Sequence, residues 1–182
     1  MRDIRTAPAL PGYPPELGAA LWRLEDARSR TLELLTSMPS DYVDRPARGN
    51  SIGTILYHVA LIEADWLYSE ILEEAPPTVI EQLLPADHRD GAGVLTLVRG
   101  QTLEQHLARL RTVRGSLLTR LRDLDDEDYH RPRNLPEYDV SPAWVLHHLA
   151  QHEAEHRGEL GFVIDFHATN SSHPTSGSGE RP

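Results

Sequence analysis

The sequence predicts an all-α protein folded as a four-helix bundle. Four long segments repeat apolar residues at intervals of three or four, which is the spacing of one helical face. No segment shows a convincing alternation of apolar and polar residues, the pattern expected of a half-buried strand. Connectors of variable length that contain proline separate the segments. Amphipathic helices of this kind bury their apolar faces against one another in a bundle.

Composition restricts the partners that the protein can have. The chain carries 18 Lys and Arg against 28 Asp and Glu, and its net charge of −10 repels the phosphate backbone of nucleic acids. It contains no cysteine, which excludes disulfides and sulfur ligands for a metal. No apolar run approaches the ~20 residues that span a bilayer, and the N-terminus lacks an apolar signal core. We therefore expect a cytoplasmic protein that binds neither nucleic acid nor membrane.

The 182 residues predict one folded domain with unstructured ends. Residues 1–15 carry four prolines and predict a flexible, extended arm. The bundle is predicted over residues 16–166. Residues 167–182 are rich in Ser, Gly, Thr and Pro, and they predict a disordered tail because they offer almost no apolar surface to bury.

The first two helices are predicted from their apolar stripes and from the residues at their ends. An apolar stripe runs from Leu17 to Met38, and Pro39 ends this first helix. Asn50 or Ser51 can cap the second helix, because either side chain can accept a hydrogen bond from a backbone N–H of the first turn. The second helix continues until a pair of prolines closes it.

The remaining segments predict two more long helices and the connections between them. Residues 79–84 predict a short turn of helix. Residues 95–124 predict the third long helix, with leucines on its buried face and arginines outside. Residues 125–140 are acidic and contain proline, so they predict a loop. Ser141 followed by Pro142 predicts a capped start for the fourth helix, which runs to residue 166.

Three histidines lie on the predicted buried faces of two helices. His152 and His156 fall in the apolar stripe of the fourth helix, and His58 falls in that of the second. Positions four apart project from neighbouring turns toward one region of space. Facing helices of a bundle combine such side chains into metal sites, and three imidazoles with one open position suit catalytic Zn²⁺. These residues form a candidate site for a divalent metal ion, with Zn²⁺ favoured and Ni²⁺ or Fe²⁺ as alternatives.

Spacing alone leaves a simpler interpretation of these histidines open. Inward imidazoles can bond instead to backbone carbonyls or to a buried carboxylate. His148 shares the four-residue spacing, but it lies roughly 12 Å along the axis from His156, so we expect it at the edge of the core or beside the ligands. His106, His130 and His147 are predicted at the surface.

Several carboxylates accompany these histidines in the sequence. Each is most simply a solvated helix charge. The alternative is a carboxylate that accepts a hydrogen bond from the outer ring N–H of a ligand histidine, or one that acts as a general base. The candidates are Glu63, Asp65, Glu155 and Glu159.

Three passages of the chain resemble the DinB/YfiT-like superfamily of metal-binding four-helix bundles. They are RPARGNSIGTILYHVALIEADWL, LRDLDDEDYHRP and HHLAQHEAEHRGEL, and the resemblance covers most of residues 16–166. In that family a histidine of the second helix and an H-x-x-x-H pair before R-G-[QE] bind a divalent ion. The resemblance therefore implies metal ligation by His58, His152 and His156. This chain has Glu159 where glutamine is usual, and we expect no added C-terminal domain.

The resemblance also implies a homodimer and a small-molecule partner, without fixing one activity. Some relatives are similar to transferases or isomerases that use the thiols mycothiol or bacillithiol, and others are stress-induced proteins. We consider a metal-dependent thiol S-transferase, a hydrolase that uses hydroxide on the metal, and a metal-binding protein without catalysis. Tyr57, Trp66 and Trp144 could line the mouth of a site, although aromatic residues at helical spacing more often serve packing. No residue is assigned as catalytic.

Overall fold

The computed structural model describes residues 2, 6–36, 38–47 and 49–171, and it confirms the predicted all-α fold. The described part of the chain also contains a 3₁₀ turn (Ser40–Tyr42), a π-helical turn (Trp66–Ile71) and two short strands, β1 (Arg133–Asn134) and β2 (Asp139–Val140). Its α-helices are α1 (Pro15–Leu35), α2 (Ile52–Asp65), α3 (Thr78–Leu83), α4 (Leu103–Arg120), α5 (Asp126–His130) and α6 (Pro142–Ser171).

The four long helices α1, α2, α4 and α6 surround one apolar core. Helix α6 packs against both α1 and α2, and α2 also packs against α4. Each of the four contributes leucines that are at most 1% exposed, for example Leu21, Leu56, Leu117 and Leu146. Burial of these stripes away from water is the main favourable contribution to folding.

The described residues before α1 have no helical structure, and two hydrogen bonds fasten them to the bundle. The Tyr13 hydroxyl donates to the carbonyl of Leu118 on α4 at 2.7 Å. The backbone N–H of Leu10 donates to the carbonyl of Gly18 on α1 at 3.0 Å. Helix α1 itself begins at Pro15, a favourable first position because proline lacks the N–H that would stay unpaired there.

Helix α2 begins as predicted but changes its geometry before it ends. Ser51 caps it, with its side chain accepting a hydrogen bond from Thr54 N at 3.2 Å. From Trp66 to Ile71 the helix widens to a π-helical turn, in which Leu72 N donates to Leu67 O at 3.0 Å. An extra residue in a helical turn shifts every later side chain around the axis, and such turns are frequent at functional sites.

Helix α4 starts eight residues later than the sequence predicted. Gly100 has a φ of +74°, a backbone conformation that a helix does not contain. Thr102 then forms a capping box with Gln105: Gln105 N donates to Thr102 Oγ1 at 3.2 Å and Thr102 N donates to Gln105 Oε1 at 2.7 Å. These two signals fix the start at Leu103, so the prediction of a helix from residue 95 was wrong.

The segment predicted as a loop between the last two long helices contains short regular elements. Asp125 caps α5, its side chain accepting from Asp128 N at 2.8 Å. Strands β1 and β2 then pair antiparallel, with Arg133 opposite Val140 and Asn134 opposite Asp139. Two-residue strands are too short to produce an alternating pattern, so periodicity does not predict them.

Helix α6 continues to Ser171, beyond the predicted end at residue 166. The predicted disordered tail otherwise falls on residues 172–182, which lie outside the described residues, and the division into arm, bundle and tail stays a prediction. Among the described residues, no helix is long and apolar enough to cross a membrane.

Three polar residues of α4 that were expected at the surface lie inside the protein. Arg109 and Arg114 are 6% and 5% exposed, and His106 is fully buried. Arg109 Nη1 lies 3.0 Å from His106 Nδ1, and Arg109 also donates to Leu83 O at 2.9 Å. Burial, followed by the nearby charge of Arg109, lowers the pKa of His106 to about 4, so the ring is neutral at pH 7.

Replacement of Gly53 by Ala is expected to destabilise the protein by about 1–3 kcal/mol, because the new methyl group has no space. An added Cβ would lie 2.9 Å from His106 Nε2 and 3.3 Å from Val43 O. Gly115→Ala on α4 is the matched control, since nothing lies within 4 Å of its added Cβ. That change should stabilise the protein by about 0.5–1 kcal/mol through helix propensity. Urea unfolding of both variants measures the difference, and equal effects would contradict the prediction.

Candidate metal centre

The structure brings together His58 from α2 and His152 and His156 from α6. His58 is 5% exposed, and the two histidines of α6 are half-buried. The Nε2 atom of His152 lies 3.2 Å from His58 Nε2 and 3.1 Å from His156 Nε2. Each of the three can therefore place a ring nitrogen within 4.8 Å of the other two, a group that could hold a metal ion.

Hydrogen bonding alone does not satisfy these three nitrogens. A ring nitrogen has one in-plane position, which holds either a hydrogen or a lone pair. His152 Nε2 is close to two other nitrogens, so it completes a good hydrogen bond with only one of them. The remaining pair would face each other at short range without a shared proton. A cation that accepts all three lone pairs removes this conflict.

The nitrogen separations match those of coordinated imidazoles. Metal–nitrogen bonds of about 2.0–2.1 Å, arranged at tetrahedral or octahedral angles, place neighbouring nitrogens about 2.8–3.4 Å apart. The two Nε2 separations here are 3.1 and 3.2 Å. Two of the three separations therefore already match those of ligands to one small divalent cation, and the third lies within 4.8 Å.

Burial keeps two of the histidines in the neutral form that a metal requires. Desolvation, followed by the nearby His156, lowers the pKa of His58 to about 4. The same causes in the same order lower the pKa of His152 to about 3, with His58 adding to the effect. At pH 7 both rings keep a free lone pair, so protons compete weakly with a cation for them.

The outer side of His156 contacts one of the carboxylates named from the sequence. Glu159 Oε2 lies 3.1 Å from His156 Nδ1. A carboxylate in this position accepts the Nδ1–H and leaves the lone pair on Nε2, the atom that faces the cluster. His58 Nδ1 has no hydrogen-bond partner among the described residues.

A buried ion network has one member from each long helix. Arg114 of α4 holds both oxygens of Glu63 on α2, with Nε–Oε1 and Nη2–Oε2 distances of 2.8 Å. Arg28 of α1 joins Glu63 to Glu153 of α6, through Nη2–Oε2 at 2.9 Å and Nε–Oε1 at 2.7 Å. Their side chains are 2–8% exposed. The expectation that Glu63 is a solvated helix charge was therefore wrong.

The network lies next to the histidines in sequence and holds their helices together. Glu153 directly follows His152, and Glu63 lies five residues after His58. Burial alone would raise the pKa of Glu63, but the charges of Arg114 and Arg28 outweigh it and hold the pKa below its ordinary value of 4.5. The four charges thus fix α2 and α6 relative to α1 and α4, which positions the three imidazoles.

The other residues named from the sequence lie outside the cluster. His148 is half-buried, and its ring centroid lies 6.1 Å from that of His152. His147 is exposed, and His130 pairs at the surface with Glu16 at 2.8 Å. Tyr57 does not line a mouth: it is 3% exposed and donates to Ala86 O at 3.0 Å.

Comparison with known families agrees with this geometry. Residues 23–160 match the family model of the DinB superfamily, and all three histidines of the cluster lie within this range. The match confirms the resemblance read from the sequence. No curated protein matches the chain significantly.

Proposed function

We propose that the chain, which belongs to the DinB superfamily, binds one divalent cation through His58, His152 and His156 and uses it in a thiol-dependent transfer reaction. The crowding of the three Nε2 atoms carries the first part of this proposal. It supports a shared cation because His152 Nε2 cannot satisfy both neighbours by hydrogen bonding.

A candidate space for a reactant lies near the outer side of His156. A cavity of about 400 Å³ is lined by Glu159, which contacts His156, together with Asn50 and Phe162. This volume lies within the range of small-molecule sites. Three protein ligands also leave a coordination position open, the arrangement of catalytic rather than structural zinc.

The chain's own residues bind the cation and orient the ligand rings, and the cation makes a reactant that binds to it more acidic. A bound divalent cation lowers the pKa of a thiol or a water molecule that approaches it. His58, His152 and His156 act only as ligands, since all three Nε2 atoms face the cluster. Glu159 holds the His156 ring, and Phe162 provides an apolar wall of the neighbouring cavity. The thiol-dependent reaction is favoured through the family, and the homodimer and the stress-response role stay predictions.

An assay with a low-molecular-weight thiol and a generic electrophile tests the proposal. Protein purified without a nickel column is analysed for bound metal and then incubated with both reactants. We expect conjugate formation that chelator abolishes, that His152→Ala reduces to background, and that His147→Ala leaves intact. Cleavage of esters without thiol would indicate a hydrolase instead. Stoichiometric metal without any turnover would indicate a binding protein.

A further inference from the structure

A second cavity lies two helical turns from the histidines, and its walls are largely aromatic and aliphatic. It measures about 690 Å³, within the range of small-molecule sites. Its apolar walls are Trp66, Pro132, Tyr138, Val140 and Trp144. Trp144 is 49% exposed and Tyr138 is 46% exposed, so both present ring surface that the protein itself does not cover.

Two rings that line this cavity, Trp66 and Trp144, lie nearly parallel to each other and to the ring of His148, which lies outside the lining. The Trp66 and Trp144 rings are 5.6 Å apart between centroids and 18° from parallel. The His148 ring lies 4.3 Å from Trp66 and 5.1 Å from Trp144, at 17° and 6°. A planar group placed against the exposed part of Trp144 would join rings that already lie nearly parallel. Stacked aromatic rings attract each other beyond the effect of area burial.

Another lining residue of the cavity, Tyr138, is held in place by a buried carboxylate. The Tyr138 hydroxyl donates to Glu70 Oε1 at 2.5 Å. Glu70 lies in the π-helical turn that begins at Trp66, so one irregular turn supplies a wall residue and the anchor of another. That hydrogen bond, then burial, raises the pKa of Tyr138 to about 12, which keeps the hydroxyl neutral. The aromatic walls are therefore formed before any ligand arrives.

The polar groups of the cavity select against anions. Its polar lining residues are His130, Asp139 and Ser141, and none of the described lining residues is Lys or Arg. His130 is already paired with Glu16. Asp139 adds a carboxylate at the wall, and Glu70 adds another behind Tyr138. Among the lining residues, an anionic ligand would meet the carboxylate of Asp139 and no Lys or Arg.

We infer that this cavity binds an uncharged, planar aromatic or conjugated ring of a small molecule. The site goes beyond the proposed metal chemistry, because stacking on Trp144 and Trp66 does not require a cation at the histidines. The ring of His148 packs on Trp66, and its centroid lies 6.1 Å from that of His152, so His148 lies between the cavity and the histidine cluster.

Calorimetric titration of the full-length protein with naphthol, and with the anion naphthoate, tests the inference. We expect naphthol to bind and naphthoate to bind at least about fivefold more weakly, because Asp139 repels its charge. Trp144→Ala should weaken naphthol binding roughly three- to tenfold, the scale of one stacked ring. Trp22→Phe changes a tryptophan that does not line the cavity, and it should leave the affinity unchanged.

The same titrations with chelator separate this inference from the proposed function. Naphthol binding that persists after metal removal supports the cavity as a site in its own right. The inference is overturned if naphthoate binds as tightly as naphthol, or if Trp144→Ala binds naphthol as tightly as wild type. It is also overturned if Trp144→Ala abolishes self-association, measured by light scattering, while the affinity for naphthol stays the same.

Discussion

Replacement of Glu63 by Gln is expected to destabilise the folded protein by about 3–5 kcal/mol, the largest effect of any single substitution proposed for this protein. The change keeps the shape of the side chain and removes its charge. Arg28 and Arg114 are then left with one buried carboxylate, Glu153, between them. Chemical unfolding in urea measures the loss.

The size of this effect follows from burial. Glu63 and Glu153 have side chains that are 3% and 2% exposed, and the two arginines are 8% and 6% exposed. Two positive and two negative charges balance there, so the network is neutral as a whole. Removal of one negative charge leaves a guanidinium without its full counter-charge in a place that water does not reach. Desolvated charges without partners cost several kcal/mol.

Two controls separate this explanation from general sensitivity to substitution. Glu25 also contacts Arg114, at 2.7 Å, but its side chain is 40% exposed. Glu25→Gln should therefore cost less than about 1 kcal/mol. The double variant Glu63→Leu with Arg114→Met removes one charge of each sign, so it should be less destabilised than Glu63→Gln alone. An effect of Glu63→Gln no larger than that of Glu25→Gln would contradict the prediction.

Acid gives a second readout of the same carboxylate. The folded-state pKa of Glu63 lies below its ordinary value of 4.5. A depressed carboxylate pKa contributes stability that is fully present above the ordinary pKa and lost as the pH falls through the folded-state value. The difference in unfolding free energy between wild type and Glu63→Gln should therefore narrow once the pH falls below about 4.5.

Apolar periodicity was sufficient to predict the bundle, because each long helix buries one stripe against the core. The start of α4 was misplaced because residues 95–102 contain apolar side chains without forming helix. The turn at Gly100 and the capping box at Thr102 were readable in the sequence and outweigh periodicity there. The π-helical turn at Trp66 left no signal, since a single-residue insertion is set by packing rather than by local composition.

Periodicity did not predict the buried ion network, although charged residues within the apolar stripes indicated its positions. In the first helix the apolar stripe passes from Leu24 to Thr31, and Arg28 occupies the position between them. In α4 the stripe passes from Leu110 to Leu117, with Arg114 between. A charged residue at an inward position indicates either a solvated edge or a buried partner of opposite sign. Which of these holds depends on the facing helices, and one helix's sequence does not contain that information.

The convergence of the histidines could be predicted, because here the information lies in the sequence of each helix by itself. Inward imidazoles on two helices share a stripe with aliphatic residues, so their direction was fixed by periodicity. Periodicity does not give their positions along the helix axes. The structure shows these positions, and it places one ring nitrogen of each histidine within 4.8 Å of the other two.

Saturation with its cation is expected to stabilise the protein by about 4 kcal/mol when the free metal exceeds its dissociation constant a thousandfold. For a chain of this size that corresponds to a rise of roughly ten degrees in the unfolding temperature. The rise should disappear in His152→Ala, because His152 Nε2 is the nitrogen close to both other ligands. Thermal unfolding with and without added Zn²⁺ measures it.

The variants are compared by the metal-induced rise in unfolding temperature. Alanine in place of a half-buried ring also changes the stability of the metal-free protein, so the unfolding temperature alone is not sufficient. His147→Ala and His148→Ala on the same helix are two controls, one at an exposed residue and one close to the cluster. His147 is exposed, and the His148 ring stacks on Trp66 with its centroid 6.1 Å from His152, so both variants should keep the rise. A rise retained in His152→Ala, or lost equally in His148→Ala, would show that the cation binds elsewhere. Loss confined to the three cluster histidines would instead place it where their nitrogens meet.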